Sequence, residues 1–232
     1  MKTYATLGPA CCRADLLTEL LDMGLTGFRL NLSHTTLTAC RPWTDAVQAA
    51  RQASGRDAEL IVDMRGPELR MGALPQPVPR AEGDSVTLGP GSLPVEPDIL
   101  AAVAPGQEIL LDDGLMALRA ESCGRAVTCT VTRGGVLESR KSITLPGVEL
   151  LRPALTAQDL LDLDNAAGQG VTAVMQPFVR SRHELEQVRT ALARRGLEHL
   201  TIFAKIEDRQ GWQSLPQWMD ACDVVTVARG DL

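Results

Sequence analysis

Apolar and polar positions in the first third of the chain alternate between a period of two and a period near 3.6. Thr3 to Leu7 reads as a short strand closed by Gly8-Pro9. Ala14 to Asp22 reads as a helix, because Leu16, Leu17, Leu20 and Leu21 fall on one face at helical spacing and Gly24 stops it. Gly27 to Leu32 is a second strand, Thr38 to Ala53 a second helix ended by Ser54-Gly55, and Leu60 to Asp63 a third strand running into the turn Gly66-Pro67. Strand and helix in repeated succession are the pattern of a parallel sheet.

The pattern changes after Gly72. Residues 73–140 are rich in Pro and Gly and show short alternating runs with no helical period. Ser85–Leu88, Glu108–Leu111, Met116–Ala120 and Ala126–Thr132 read as strands, and Gly134-Gly135 as a hairpin turn. The strand–helix alternation resumes from Leu155. Ala157–Ala167 is a helix capped by Thr156 with Asp159 in its first turn. Val171–Gln176, Leu200–Ile206 and Val224–Ala228 are strands, separated by helices over Arg182–Arg194, with Gly196 behind it, and Arg209–Met219. The fold class expected is α/β: an incomplete TIM (β/α)8-type barrel of six parallel strands with an inserted all-β lid domain. The expected divisions are a leading barrel segment over 1–72, the lid over 73–140 and a closing, truncated barrel segment over 141–232. An open doubly wound sheet is the competing architecture, and no G-x-G-x-x-G turn supports it.

Composition narrows the function classes. Of 232 residues, 44% are apolar but only 3% aromatic, so the core is aliphatic. No apolar run approaches the ~20 residues that span a bilayer, and the start has no signal-peptide pattern; no membrane partner is expected. A net charge of −6 argues against nucleic acid bound through bulk charge. Six cysteines without a C-x-x-C pair read as free thiols in a reducing cytoplasm.

Chemistry in such a barrel sits at the carboxyl ends of its strands. Those ends carry Arg29-Leu30-Asn31-Leu32-Ser33-His34, Asp63-Met64-Arg65-Gly66-Pro67-Glu68-Leu69-Arg70, Lys205-Ile206-Glu207-Asp208 and Ala228-Arg229-Gly230-Asp231. Alternation sends Arg29, Asn31 and Ser33 to one face, and Lys205 and Glu207 likewise share a face. The mouth would then collect two cations (Arg29, Lys205), two acids (Glu207, Asp231) and an oxygen-rich group (Asn31, Ser33, Asp63). Carboxylates beside Lys and Arg suit a hard divalent ion that bridges to an anionic substrate. Phosphoryl transfer needs such positioning and positive charge more than covalent help.

At these residues the chain resembles the pyruvate kinase family. The resemblance rests on Ala5-Thr6-Leu7-Gly8-Pro9-Ala10, Arg29 to His34, Asp63 to Arg70, Leu111-Asp112-Asp113-Gly114, Lys141-Ser142-Ile143-Thr144-Leu145-Pro146-Gly147, Lys205-Ile206-Glu207 and Val227-Ala228-Arg229-Gly230-Asp231-Leu232, seven matches in one order along the whole chain. It implies phosphoryl transfer from phosphoenolpyruvate to ADP, giving pyruvate and ATP, in glycolysis. Lys205 would stabilise the phosphoryl group in flight and Arg29 would grip it. Glu207 and Asp231 would hold Mg²⁺ or Mn²⁺. Asn31, Ser33, Asp63 and the Met64 carbonyl would hold K⁺, with Glu68 the acidic residue found in K⁺-requiring members. His34, Arg70 and Lys141 would contact nucleotide phosphates, and Asp113 would face the cleft from the lid. Members of the family form homo-oligomers.

Departures from the family pattern are Met64 for Thr, Arg65 for Lys, Pro177 for Ser and Asp208 for Asn. The resemblance also implies further strands and a C-terminal domain after this motif. The chain is therefore expected to be a fragment, ahead of a split-enzyme half needing a second chain or a decayed relative. Two other functions stay open: a non-catalytic relative that binds phosphoenolpyruvate, nucleotide or a partner chain, and a metal-dependent oxo-acid lyase, against which the lid and the Asn31/Ser33/Asp63 group argue.

Overall fold

The computed structural model describes residues 1–33, 35–148, 150 and 152–229. In chain order the elements begin with β1 (Tyr4–Thr6), α1 (Ala14–Asp22), β2 (Gly27–Asn31), α2 (Arg41–Ser54) and β3 (Glu59–Asp63). Next come β4 (Val78–Arg80), β5 (Ser85–Leu88), α3 (Pro97–Ala102), β6 (Glu108–Leu111), β7 (Met116–Ser122), β8 (Val127–Arg133), β9 (Gly135–Leu137) and β10 (Ile143–Thr144). The last are α4 (Ala157–Ala166), β11 (Ala173–Gln176), α5 (Arg182–Ala193), β12 (Thr201–Ile206), α6 (Arg209–Trp218) and β13 (Val224–Val227).

Two compact units result, one of Met1–Pro67 with Pro153–Leu232, the other of Glu68–Arg152. In the first unit, six strands pair in parallel in the order β1-β2-β3-β11-β12-β13. Alternation divides their side chains. Phe28, Leu30, Leu60, Val62, Val174, Ile202, Ala204 and Ile206 share one core with Leu17, Leu21, Val47, Leu163, Leu185, Val188 and Trp218 of the helices. The opposite face is a separate small cluster of Ile61, Ala173, Met175 and Phe203 with Tyr4 against it. Strands buried on both faces read as continuous apolar runs, which is why β11 is buried throughout as Ala-Val-Met-Gln. This is the expected α/β barrel sheet with its strands in sequential order. Among the described residues β1 and β13, at its ends, each pair on one side only; β1 is half-buried and β13 largely exposed.

The inner face is layered. Tyr4 donates its hydroxyl to Glu59 at 2.6 Å and meets the Phe203 ring edge-on at 6.1 Å. Burial and then the Glu59 carboxylate push the Tyr4 hydroxyl up to about 12. Gly27 lies beneath this pair, and a Cβ there would stand 2.7 Å from the Glu59 carbonyl and 3.0 Å from the Tyr4 ring, so only glycine fits.

The second unit holds a five-stranded antiparallel sheet, β10-β6-β7-β8-β5, and the pair β4-β9. Its core includes Val86, Leu88, Ile109, Leu111, Leu118, Val127 and Val131. Three expectations change here. The insertion is not all-β, because Pro97–Ala102 forms a short helix that buries Ile99 and Leu100 in the same core. Gly134-Gly135 is not a hairpin turn: the chain leaves β8 and pairs as β9 with the distant β4. These glycines are needed for close approach, since a Cβ on Gly134 would lie 2.8 Å from the Arg80 carbonyl and one on Gly135 2.6 Å from Met116 Cγ. Finally, the unit's bounds are Glu68 and Arg152 rather than 73 and 140. Arg70 bridges Ser142, and β10 pairs with β6, so both connecting segments belong to it.

Helix α4 carries the capping box that Thr156 and Asp159 announced. Asp159 is fully buried and does more than cap. Its carboxylate accepts from Thr156 N at 2.8 Å and Thr156 Oγ1 at 2.7 Å, and also from Arg65 N at 2.8 Å and Gly66 N at 3.2 Å. Helix α4 thereby fixes the turn that follows β3. Gly66 has φ 61°, and a Cβ there would stand 2.4 Å from Pro177 Cγ. Asp159→Ala leaves several buried donors unsatisfied and is expected to cost at least about 2 kcal/mol. Trp43, Trp212 and Trp218 all belong to the first unit, so urea denaturation followed by tryptophan fluorescence reads this loss. An unchanged midpoint would contradict the stapling role.

Candidate active site

The sheet register assembles a charged rim. Thr6 is the Cα partner of Arg29, Arg29 of Ile61, and Asn31 of Asp63. Asp63 pairs in turn with Met175, which stands opposite Phe203, two residues before Lys205. On the inner face, above the layer of Ile61, Met175 and Phe203, alternation therefore places Arg29, Asp63, Lys205 and Glu207 together.

Their contacts form one chain of charge. Arg29 donates to Asp63 Oδ2 through Nε at 2.9 Å and again through its second terminal nitrogen, and its other terminal nitrogen donates to Thr6 Oγ1 at 3.0 Å. Lys205 Nζ lies 3.4 Å from the same Asp63 oxygen and 2.5 Å from Glu207 Oε1. Glu207 Oε2 accepts from the backbone N–H of Phe178 at 2.9 Å. The side chains of Asp63 and Glu207 are 2% and 3% exposed, against 13% for Lys205 and 27% for Arg29. The carboxylates are thus the buried half of the rim, and the cations are its open half. Burial works against the charge on Lys205, but Asp63 and Glu207 outweigh it and hold the ammonium above its ordinary range. A lysine kept charged is a partner for anionic oxygen and not a base at neutral pH.

Sequence reasoning brought Arg29, Asp63, Lys205 and Glu207 to one place, and the structure brings them together. Asn31 lies beside Asp63 in register, and its Oδ1 accepts from Ser33 N at 3.0 Å to brace the turn. Met64 turns its side chain into the helical core. His34 and Asp231 lie outside the described residues. Among the described residues no group of three or more His, Cys, Asp or Glu is gathered around a metal position. Asp63 Oδ1 is nevertheless buried without a hydrogen-bond partner. An ionised oxygen in that condition fits a hard cation. Glu207 supplies a hard carboxylate, and Mg²⁺ needs only about one or two of these when substrate oxygens complete its shell.

Two participants were missed. Thr6 fixes Arg29 from the neighbouring strand, and only the β1–β2 register reveals it. Phe178 holds a left-handed φ of 54° while its N–H braces Glu207. A non-glycine residue in that conformation is held by its surroundings and marks a constrained site. The single available signal was Pro177 immediately before it. Asp208, which adds a charge beside Glu207, is neutralised locally: it caps α6 through Gly211 N at 2.8 Å and pairs with Arg180 at 2.7 Å. Arg65 points to the Thr35 carbonyl at 2.5 Å.

The second unit has a charged cluster of its own, which contains four predicted residues. Arg70 pairs with Glu68 at 2.7 Å and donates to the Arg140 carbonyl at 2.8 Å. Lys141 lies 3.0 Å from Asp112 and 3.2 Å from Glu138, which hold it charged above its ordinary range. Asp113 accepts from Ser142 Oγ at 2.6 Å. Asp112, Asp113 and Gly114 all have positive φ, 52°, 53° and 82°, a tight turn that Asp tolerates and Gly favours.

A parallel (β/α) sheet with cations and carboxylates converging at its strand ends, interrupted after β3 by an antiparallel unit, defines a class of barrel built to bind anions. The family model described as the pyruvate kinase barrel domain matches residues 1–232. The chain belongs to that family. It is 37% identical to a pyruvate kinase of Aeropyrum pernix over all of this chain and 51% of that protein. It is 35% identical to one of Mycobacterium tuberculosis, again over 51% of the relative, and 31% identical to one of Geobacillus stearothermophilus over 41%. The chain thus spans about half the length or less of these relatives. No helix among the described residues is long and apolar enough to cross a membrane.

Removing one partner from a buried ion network leaves uncompensated charge. Lys205→Met is therefore expected to destabilise the first unit by about 3 kcal/mol, and Lys205→Met combined with Glu207→Gln by less than the sum of the two single changes. Denaturant midpoints of the three variants test this, and strict additivity would deny the coupling. The sign in pH follows from the raised folded value: the contribution of Lys205 is complete below the unfolded lysine value of about 10.4 and is lost as pH rises through the folded one.

Proposed function

We propose that this chain provides the phosphoryl-transfer rim for a pyruvate kinase reaction, in which the phosphoryl group of phosphoenolpyruvate passes to ADP, giving pyruvate and ATP. The observation that carries the reading is the convergence of Arg29, Asp63, Lys205 and Glu207 from three different strands on one inner face. Two cations on the open side suit the equatorial oxygens of a phosphoryl group, whose transfer depends on positioning and charge.

Arg29, pre-set by Thr6 and Asp63, grips a phosphoryl oxygen. Lys205, charged at neutral pH, stabilises the group between its donor and acceptor oxygens. As the bond from phosphorus to the enol oxygen breaks, a new one forms to a β-phosphate oxygen of ADP. The enolate left behind gains a proton on carbon to become pyruvate. Glu207 and Asp231 would hold Mg²⁺ or Mn²⁺, and Asn31, Ser33, Asp63 and the Met64 carbonyl would hold K⁺, with Glu68 the acidic residue that goes with a K⁺ requirement. When bound, these ions neutralise phosphate charge and polarise its oxygens. His34, Arg70 and Lys141 are the proposed nucleotide-phosphate contacts, and Asp113 lines the nucleotide side of the second unit. The reading places the protein in cytoplasmic glycolysis, acting within a homo-oligomer and binding neither nucleic acid nor membrane.

A lactate-dehydrogenase-coupled assay with and without K⁺, on this chain supplied with the remaining barrel segment of a pyruvate kinase, tests the reading. Turnover should need ADP, a divalent ion and K⁺, and Lys205→Ala should lower it at least a hundredfold, in the range of losses seen when a transition-state charge partner is removed. Phosphoenolpyruvate binding with no turnover under any salt, or a Lys205→Ala variant within tenfold of the parent, would sink it.

A further inference from the structure

The loop between β1 and α1 carries two adjacent cysteines that the phosphoryl-transfer reading does not use. Both are half-buried and free. Cys12 Sγ donates to the Gly8 carbonyl at 2.9 Å, and Cys11 Sγ donates to the same oxygen at 3.4 Å. Gly8 N also donates to Cys11 Sγ at 3.3 Å. Two sulfurs resting on one carbonyl oxygen lie on the same side of the loop, within reach of each other. Burial first, and then Cys11, push the Cys12 thiol up to about 11. Of the other thiols only Cys40 comes near, close enough for its charge to act on Cys12 and in the core cluster that both loop cysteines pack against. Cys40 is buried beside Thr35, Cys129 is buried in the second unit, Cys123 is exposed, and Cys222 is bonded to the Met219 carbonyl.

We propose that Cys11 and Cys12 form a dithiol site that captures a soft thiophilic centre of the trivalent-arsenical class with both sulfurs. Soft thiolate pairs select such centres over the hard cations suited to carboxylates. For an arsenical R–As=O, two As–S bonds form, the As=O bond breaks, and its oxygen leaves as water with the two thiol protons. No electrons are transferred, and no oxidant or reductant is needed. Capture takes both sulfur hydrogen bonds away from the Gly8 carbonyl. Gly8 directly follows Leu7, whose N–H donates to the Arg29 carbonyl at 2.9 Å, and lies two residues after Thr6, whose hydroxyl holds the Arg29 guanidinium. The dithiol is therefore a chemical input placed on the strand end that sets Arg29, and its existence does not depend on the reaction assigned to the rim.

The experiment uses the parent chain under native conditions with phenylarsine oxide as probe, read by intact mass and by differential alkylation. One adduct per chain, heavier by the arsenical less one water, should persist in excess glutathione and protect Cys11 and Cys12 while Cys123 remains open to iodoacetamide. Closing the second bond within one chain multiplies retention by ~10² or more, so Cys11→Ser and Cys12→Ser should each weaken retention at least tenfold, and Cys123→Ser should not. Protection mapped to Cys12 with Cys40, or to Cys123, or an adduct displaced by the monothiol, would overturn the proposal. The alkylation map on the parent chain decides this even if a variant misfolds.

Discussion

The Asp63 carboxylate is the constraint around which the first unit is organised. It is buried at the end of a strand and shares one oxygen between Arg29 and Lys205, while its other oxygen has no partner. A buried carboxylate is costly unless paired, so Asp63 holds the two cations in fixed places. Those cations come from strands on either side of β3 in the sheet, β2 adjacent and β12 beyond β11. One acid thus ties together residues separated by more than half the chain. Glu207 completes the arrangement from the end of β12 and is itself held by the constrained Phe178 backbone.

The supports behind this rim are not ionic pairs but backbone bonds to buried side chains. Asp159 of α4 fixes the turn after β3, and Asp162 of the same helix accepts from Leu37 N at 2.8 Å in the β2–α2 connection. Burial raises the Asp162 carboxyl above its usual range. Loops that carry charged function are mobile unless something holds their backbone. Here two acids from the first two turns of one helix hold two of those loops, so the rigidity of the mouth originates in an element that contributes no residue to it.

Much of this was legible in the residues. The 3.6-residue spacing of Leu17, Leu20 and Leu21 and the stop at Gly24 located α1, because an amphipathic face and a glycine stop are local properties. Thr156 caps α4 with Asp159 in its first turn, because a cap depends only on neighbours three apart; the second capping box, Ser181 with Glu184, emerged from the structure. The second unit was harder to read. Its β4 and β9 are three residues each and pair across more than fifty positions, and α3 is a short helix inside a Pro- and Gly-rich stretch. Neither carries enough periodicity to be seen locally. Its limits at Glu68 and Arg152 were equally hidden, because they depend on the Arg70–Ser142 bridge and on β10 joining β6.

The sequence by itself determined which faces Arg29, Asp63, Lys205 and Glu207 occupy, since strand alternation is a property of the backbone and needs no partner. It also determined membership of the pyruvate kinase family, because the motifs occur in one order along the chain. Only the tertiary structure decided that Arg29 leans on Thr6, that the Phe178 backbone braces Glu207, and that Cys11 and Cys12 converge on one carbonyl. Those outcomes depend on strand register and loop path, which are set by packing between segments far apart in the chain.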